Sequence, residues 1–165
     1  MKARLKIKSL EELKTICDAV RSRDGKIVFT NGCFDLLHVG HVRYLEEARG
    51  LADALIVAVN TDASVMRIKG PLRPIVPETD RAELVASLQC VDYVTLFDTP
   101  DPLPLIRCLL PDFLVKGADW PIEEIVGAEE VLRAGGQVVT IDLVADRSTS
   151  GLIEKIAERF GKNPK

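Results

Sequence analysis

Histidine is scarce: only His38 and His41 occur in 165 residues. The four cysteines, Cys17, Cys33, Cys90 and Cys108, are widely spaced, form no CxxC pair and have no histidine cluster beside them. A structural zinc site or a disulfide framework is therefore excluded, and reduced thiols in a cytoplasm fit the pattern. Positive charge is not in excess, since 22 Lys and Arg stand against 25 Asp and Glu for a net charge of -3, and no global field draws DNA or RNA. Long apolar runs are missing too. A stretch such as Ala54–Val59 is far short of the roughly 20 residues that span a bilayer, and Met1-Lys2-Ala3-Arg4 opens without an apolar signal core. A soluble, cytoplasmic chain with neither a membrane nor a nucleic-acid partner is expected. There is no GxGxxG in the first strand–helix turn and no GxxxxGK[ST] anywhere, so neither familiar glycine cradle for phosphate is at hand.

The chain does hold ample apolar material, 47% of its residues, enough for the core of one domain over 1–165. Five short runs are nearly continuous in Val, Ile, Leu and Phe: 26–30, 54–60, 91–97, 113–116 and 137–143. Continuous rather than alternating runs mark strands covered on both faces, and their alternation with helical patterns predicts an α/β fold, a doubly wound Rossmann-like five-stranded parallel sheet. Ser9-Leu10-Glu11-Glu12 is a capping-box pattern that opens a helix over about 9–23, packed on the sheet. Further helices are expected over about 40–51, 79–88, 102–109, 125–134 and 149–160. Pro71, Pro74 and Pro77 exclude regular structure from 69–77, which is expected to be an ordered loop, mobile without ligand and closing over bound phosphates.

The most informative stretch is Thr30-Asn31-Gly32-Cys33-Phe34-Asp35-Leu36-Leu37-His38-Val39-Gly40-His41. It leaves the carboxyl end of the first strand and enters a helix, the place where open α/β sheets bind ligands. A helix start offers unpaired N–H groups and partial positive charge, Gly32 and Gly40 keep side chains out of a phosphate's way, and two imidazoles one turn apart can reach one anion.

On these residues the chain resembles the nucleotidyltransferase superfamily marked by His-x-Gly-His, here His38-Val39-Gly40-His41. The resemblance extends through Asn60-Thr61-Asp62, Lys69-Gly70-Pro71-Leu72-Arg73-Pro74, Asp80-Arg81, Val91-Asp92, Val115-Lys116-Gly117-Ala118-Asp119 and Arg147-Ser148-Thr149-Ser150-Gly151, and covers about 9–156. Together these are most similar to the adenylyltransferase modules of bacterial ADP-heptose synthesis. The resemblance implies transfer of AMP from ATP to D-glycero-β-D-manno-heptose 1-phosphate with loss of pyrophosphate and no covalent enzyme intermediate. It implies catalytic roles for His38, His41, Lys69 and Arg73. It also implies nucleotide contacts from Thr30, Gly32, Cys33, Phe34, Gly40, Asn60, Lys116, Gly117, Asp119, Arg147, Ser148, Thr149 and Ser150. Mg2+ is expected, held mainly by the ATP phosphates with no protein ligand, and the sugar kinase that supplies the acceptor is expected on a separate chain.

Several residues admit two roles. Asp35 fits a brace of its turn as well as a functional group, and Arg81 a pair with a neighbouring carboxylate. Ser148 or Thr149 fits a simple helix cap, and Trp120 a stacking platform or a loop cover. Cys33 as a nucleophile is disfavoured because nothing orients a base toward it. Two other functions compete: a cytidylyltransferase acting on a polyol or amino-alcohol phosphate, and a catalytically silent nucleotide-binding module. Apolar helices such as 82–88 could supply a symmetric dimer face.

Overall fold

The computed structural model describes residues 2–118, 120–142, 144 and 147–161. Five strands, β1 (Ile27–Gly32), β2 (Ala54–Asn60), β3 (Tyr93–Phe97), β4 (Phe113–Gly117) and β5 (Gln137–Ile141), form one all-parallel sheet in the order β3-β2-β1-β4-β5. Among the described residues seven α-helices accompany them: α1 (Leu10–Arg21), α2 (Val39–Arg49), α3 (Asp62–Lys69), α4 (Glu78–Ser87), α5 (Leu103–Leu109), α6 (Ala128–Arg133) and α7 (Thr149–Phe160). All seven residues of β2 are buried, as a continuous apolar run requires. One core layer packs Leu13, Phe29, Ile56 and Ile106 on one face of the sheet; the other packs Val28, Leu45, Val57 and Val85 on the opposite face. This is the doubly wound architecture that the strand pattern predicts. The order reverses at β1, with β2 on one side and β4 on the other, so the carboxyl ends of β1 and β4 flank a topological switch point.

The predicted capping box is present: the Ser9 hydroxyl accepts from Glu12 N–H at 3.2 Å and the Glu12 carboxylate from Ser9 N–H at 2.8 Å. Several differences from the sequence reading stand out. The first strand runs on to Gly32, the third starts at Tyr93 instead of Val91, and the last ends at Ile141. Helix α3 was not anticipated; Thr61 caps it by accepting from Ser64 N–H, and Gly70 ends it at a φ of 91°, a left-handed angle that glycine adopts without strain. In 82–88, Ala82, Val85 and Ala86 are buried against this chain's own sheet and leave Leu84 as the exposed large apolar residue of α4.

The N-terminal ends of the strands share one device. Asp53, Asp92 and Asp112 each stand just before a strand, and each carboxylate accepts the backbone N–H of a residue on the neighbouring segment: Lys26 at 2.8 Å, Leu55 at 2.8 Å and Ile27 at 2.9 Å. Each satisfies a donor at the sheet's end that would otherwise be short of a partner. Asp112→Ala removes the acceptor from the wholly buried Ile27, and stability is expected to fall by about 1–3 kcal/mol, the cost of one unsatisfied buried donor. Urea unfolding measures this, and an unchanged midpoint would contradict it.

Candidate active site

The carboxyl ends of β1 and β4 open into a cleft of about 410 Å³. Its floor is the β1–α2 turn. Phe34 in that turn has a φ of 47°, unusual for a residue with a bulky side chain, and Asp35 is buried beneath it. The Asp35 carboxylate accepts from Ile75 N–H at 2.8 Å, Val76 N–H at 2.9 Å and Arg73 Nε at 2.5 Å. Burial alone pushes its carboxyl up, but these donors and the guanidinium charge outweigh that and hold it below the usual aspartate range. Asp35 is therefore a charged brace. The loop 69–77 is tied through residues 73–76 to the β1–α2 turn. Leu72, at 86% exposure, marks the part that projects.

His38 is the N-cap of α2 and His41 lies one turn on, so the two rings stack with centroids 3.9 Å apart and planes at 27°. The Phe34 ring tilts against His41 at 5.3 Å. His41 Nδ1 accepts from His38 N–H over a long 3.4 Å, which places the proton of a neutral imidazole on Nε2 and makes that atom a donor. Burial lowers the His41 pKa to about 4, with the neighbouring His38 adding to the shift; burial and the Arg147 charge lower that of His38. Both rings are thus neutral near pH 7. His38 Nδ1 is buried without a hydrogen-bond partner among the described residues. Gly40 permits the stack: a Cβ there would sit 2.9 Å from His38 Nδ1.

Cations ring the rest of the cleft. Lys69 ends α3, Arg73 rises from the braced loop, Lys116 stands on β4 and Arg147 precedes α7, and all four line the cavity. Lys116 is held by the Asn31 side chain at 2.6 Å. Ser148 caps α7 by accepting from Gly151 N–H at 3.0 Å, and Thr149 donates to the Leu36 carbonyl at 3.4 Å, so both hydroxyls have structural work in this state. Asp35 is the only carboxylate among the described lining residues, and it is already satisfied. No cluster of three His, Cys, Asp or Glu able to hold a metal occurs among the described residues.

Of the residues expected at the site, His38, His41, Lys69, Arg73, Gly32, Cys33, Phe34, Gly40, Lys116, Gly117, Arg147, Ser148, Thr149 and Ser150 all line this one cleft. Thr30 and Asn60 do not. Each is buried, with the Thr30 hydroxyl paired to Tyr44 at 2.8 Å and the Asn60 amide donating to Ser64 at 3.0 Å. Asp119 lies outside the described residues. Burial raises the Cys33 thiol pKa despite Lys69, Arg81 and Arg73 nearby, so it stays protonated and is no ready nucleophile. Asn31, Tyr44 and Val144 line the cleft without having been singled out, and half-exposed Trp120 sits at its rim. Tyr44 was readable: three residues after His41, it shares that residue's helix face. Arg81, for which a simple ion pair and a functional role were both open, is fully buried and holds two backbone carbonyls besides Asp62.

Residues 29–150 match the family model described as cytidylyltransferase-like. The bifunctional protein HldE of Citrifermentans bemidjiense is 56% identical over 155 residues, covering 94% of this chain and 32% of that protein. The bifunctional protein HldE of Syntrophotalea carbinolica is 51% identical over the same coverage. The chain therefore spans about a third of the length of these relatives. Among solved structures, the lipopolysaccharide core biosynthesis protein from Thermoplasma volcanium superimposes with a TM-score of 0.58 at 31% identity, over 73% of this chain and 97% of that one. Pantoate-beta-alanine ligase from Francisella tularensis, solved with beta-gamma ATP and beta-alanine, shares the fold at a TM-score of 0.60 and 14% identity, over 87% of this chain and 68% of that one.

The buried imidazole has a pH signature. In the ligand-free protein His41 should titrate near pH 4, well under the ordinary value of about 6.5. Between these values the unfolded chain binds a proton that the folded one does not, so stability should fall as pH drops from about 6.5 toward 4. Imidazole NMR checks this directly, and a midpoint at or above 6.5 would mean an exposed ring.

Proposed function

The chain belongs to the cytidylyltransferase-like family, and on that premise we propose that it is a nucleotidyltransferase that joins the AMP of ATP to D-glycero-β-D-manno-heptose 1-phosphate and releases pyrophosphate. The observation that carries the reading is the neutral, stacked His38–His41 pair at a helix start, set at the switch point and ringed by Lys69, Arg73, Lys116 and Arg147. Such a transfer asks little covalent chemistry of a protein. It needs two anions aligned and the charge on the in-flight phosphoryl oxygens neutralised.

In this reading the His41 Nε2–H, fixed as a donor by the bond at Nδ1, meets the α-phosphate oxygen as charge builds on it. His38 lies against it on the same helix start. Arg147 and the first N–H groups of α7 take the outer phosphates, which leave as pyrophosphate. Lys69 and Arg73 hold the acceptor phosphate; Asp35 occupies Arg73 Nε and leaves its two Nη nitrogens as donors. The acceptor oxygen attacks the α-phosphorus directly, so the protonated Cys33 thiol has no part in bond making. The cleft supplies cations but no spare described carboxylate, which fits a magnesium ion that enters with ATP and is held by phosphate and water. When bound, that ion screens the triphosphate charge.

The heptose acceptor and the choice of ATP rest on the run Lys69–Pro74, on Val115–Asp119, and on the similarity to bifunctional HldE proteins. A sugar kinase on a separate chain as the source of the acceptor, and a cytoplasmic location, belong to the same proposal. Among the described residues no helix is long and apolar enough to cross a membrane.

Pyrophosphate release tests it, measured across ATP, CTP, GTP and UTP with heptose 1-phosphate and glycerol 3-phosphate as acceptors. ATP with the heptose should turn over fastest, and His41→Ala should cut kcat by about a hundredfold or more with little change in ATP binding, the scale of one preorganised donor. Faster turnover of CTP with the polyol phosphate would reassign the substrates. Nucleotide binding without pyrophosphate release would make the chain a silent binder.

A further inference from the structure

Asp35 and Arg81 are the two charged side chains buried among the described residues. Asp35 lies against the cleft. Arg81 stands on α4 behind it and lines no part of it. Its three guanidinium nitrogens go three ways: Nη1 to the Cys33 carbonyl at 2.5 Å, Nε to the Val76 carbonyl at 2.9 Å, and Nη2 to Asp62 Oδ1 at 2.7 Å. One side chain thus joins the β1–α2 turn, the proline loop that carries Arg73, and the first residue of the helix that ends in Lys69. Packing does not call for an arginine here, since an apolar side chain of that volume would fill the layer without the cost of burying a charge.

What the charge holds is a strained turn. The Cys33 carbonyl belongs to the peptide whose nitrogen is that of Phe34, so fixing the carbonyl fixes that peptide plane. On the other side of Phe34, the Asp35 carboxylate is anchored by Ile75 and Val76. Phe34 is held from both flanks at a φ of 47°, a conformation that persists for an aromatic residue only where its surroundings over-determine it. Its ring is thereby set 5.3 Å from His41 and against Gly32, where an added Cβ would meet Phe34 Cε2 at 3.1 Å.

We propose that Arg81 is a positioning residue for nucleotidyl transfer: it clamps the Cys33 carbonyl, keeps Phe34 in its left-handed turn, and so seats the Phe34 ring that sets His41. The inference rests on the role given to His41 above. Lysine cannot substitute, because one ammonium lacks the planar fork that serves three acceptors in three directions.

The test uses the whole chain and Arg81→Lys, read well below the variant's unfolding midpoint by kcat, KM for ATP and imidazole NMR. With two histidines in the sequence, assigning the rings is direct. A loosened Phe34 should raise the His41 titration midpoint by a unit or more from about 4, cut kcat about tenfold, and change KM less than threefold. Asp62→Asn keeps Arg81 but weakens one of its three bonds, and should move both readings the same way by less; it decides the matter alone if Arg81→Lys does not fold. A His41 titration that stays at the wild-type value in the folded variant, whatever happens to the unfolding midpoint, kcat or KM, would overturn the clamp and leave Arg81 as packing. If the wild-type chain transfers no nucleotide, the proposed function falls, while the His41 titration still decides the clamp.

Discussion

Two buried charges carry the cleft. Asp35 and Arg81 lie on opposite flanks of one left-handed residue, and between them they tie the β1–α2 turn to the proline loop, to α3 and to α4. Burying an ion is costly unless its hydrogen-bonding capacity is filled. Asp35 meets that condition with two backbone N–H groups and a guanidinium, Arg81 with two carbonyls and a carboxylate. The return on that cost is a rigid floor on which two imidazoles can stack at a fixed distance. Loops usually hold reactive groups loosely; here the turn is built like part of the core.

The electrostatics of the site follow from that floor. Stacked rings in a desolvated corner cannot both be charged, and burial keeps both neutral, so His41 offers an N–H dipole in place of a full positive charge. In the proposed transfer, a dipole of fixed direction would cost no reorganisation when charge moves onto a phosphoryl oxygen, while the surrounding lysines and arginines would attract the anions. The division of labour is spatial: neutral donors at the start of α2, full charges on α3, β4, the proline loop and the lead into α7.

Most of the framework was legible in the chain because it depends on local patterns. Continuous apolar runs marked both-face-covered strands, Ser9 and Glu12 marked a capping box, and His38-Val39-Gly40-His41 marked a strand-to-helix turn. What stayed hidden depends on tertiary burial. Arginine is a surface residue by habit, and nothing in Asp80-Arg81-Ala82 shows that Arg81 is wholly enclosed. Thr30 and Asn60 sit at strand ends beside the turn, yet the side chains of Tyr44 and Ser64 engage them below the cleft, a pairing invisible before the helices are placed. Helix α3 is short and runs straight into the prolines, so its Thr61 cap was masked by the loop that follows. The tie between Asp35 and that loop stayed hidden for a similar reason, since Asp35 reaches it only through the fold.

The account stands or falls on direct attack at the α-phosphorus within this cleft. Its most direct measurement is the stereochemical course of transfer from ATP made chiral at that phosphorus, run together with an acceptor whose phosphate oxygens carry 18O. The arrangement of donors predicts inversion of configuration, with an acceptor oxygen retained as the bridge in the nucleotide sugar. Retention of configuration would signal a covalent enzyme intermediate, and loss of the labelled bridge would move the attack elsewhere; either result contradicts the role assigned to the His38–His41 pair.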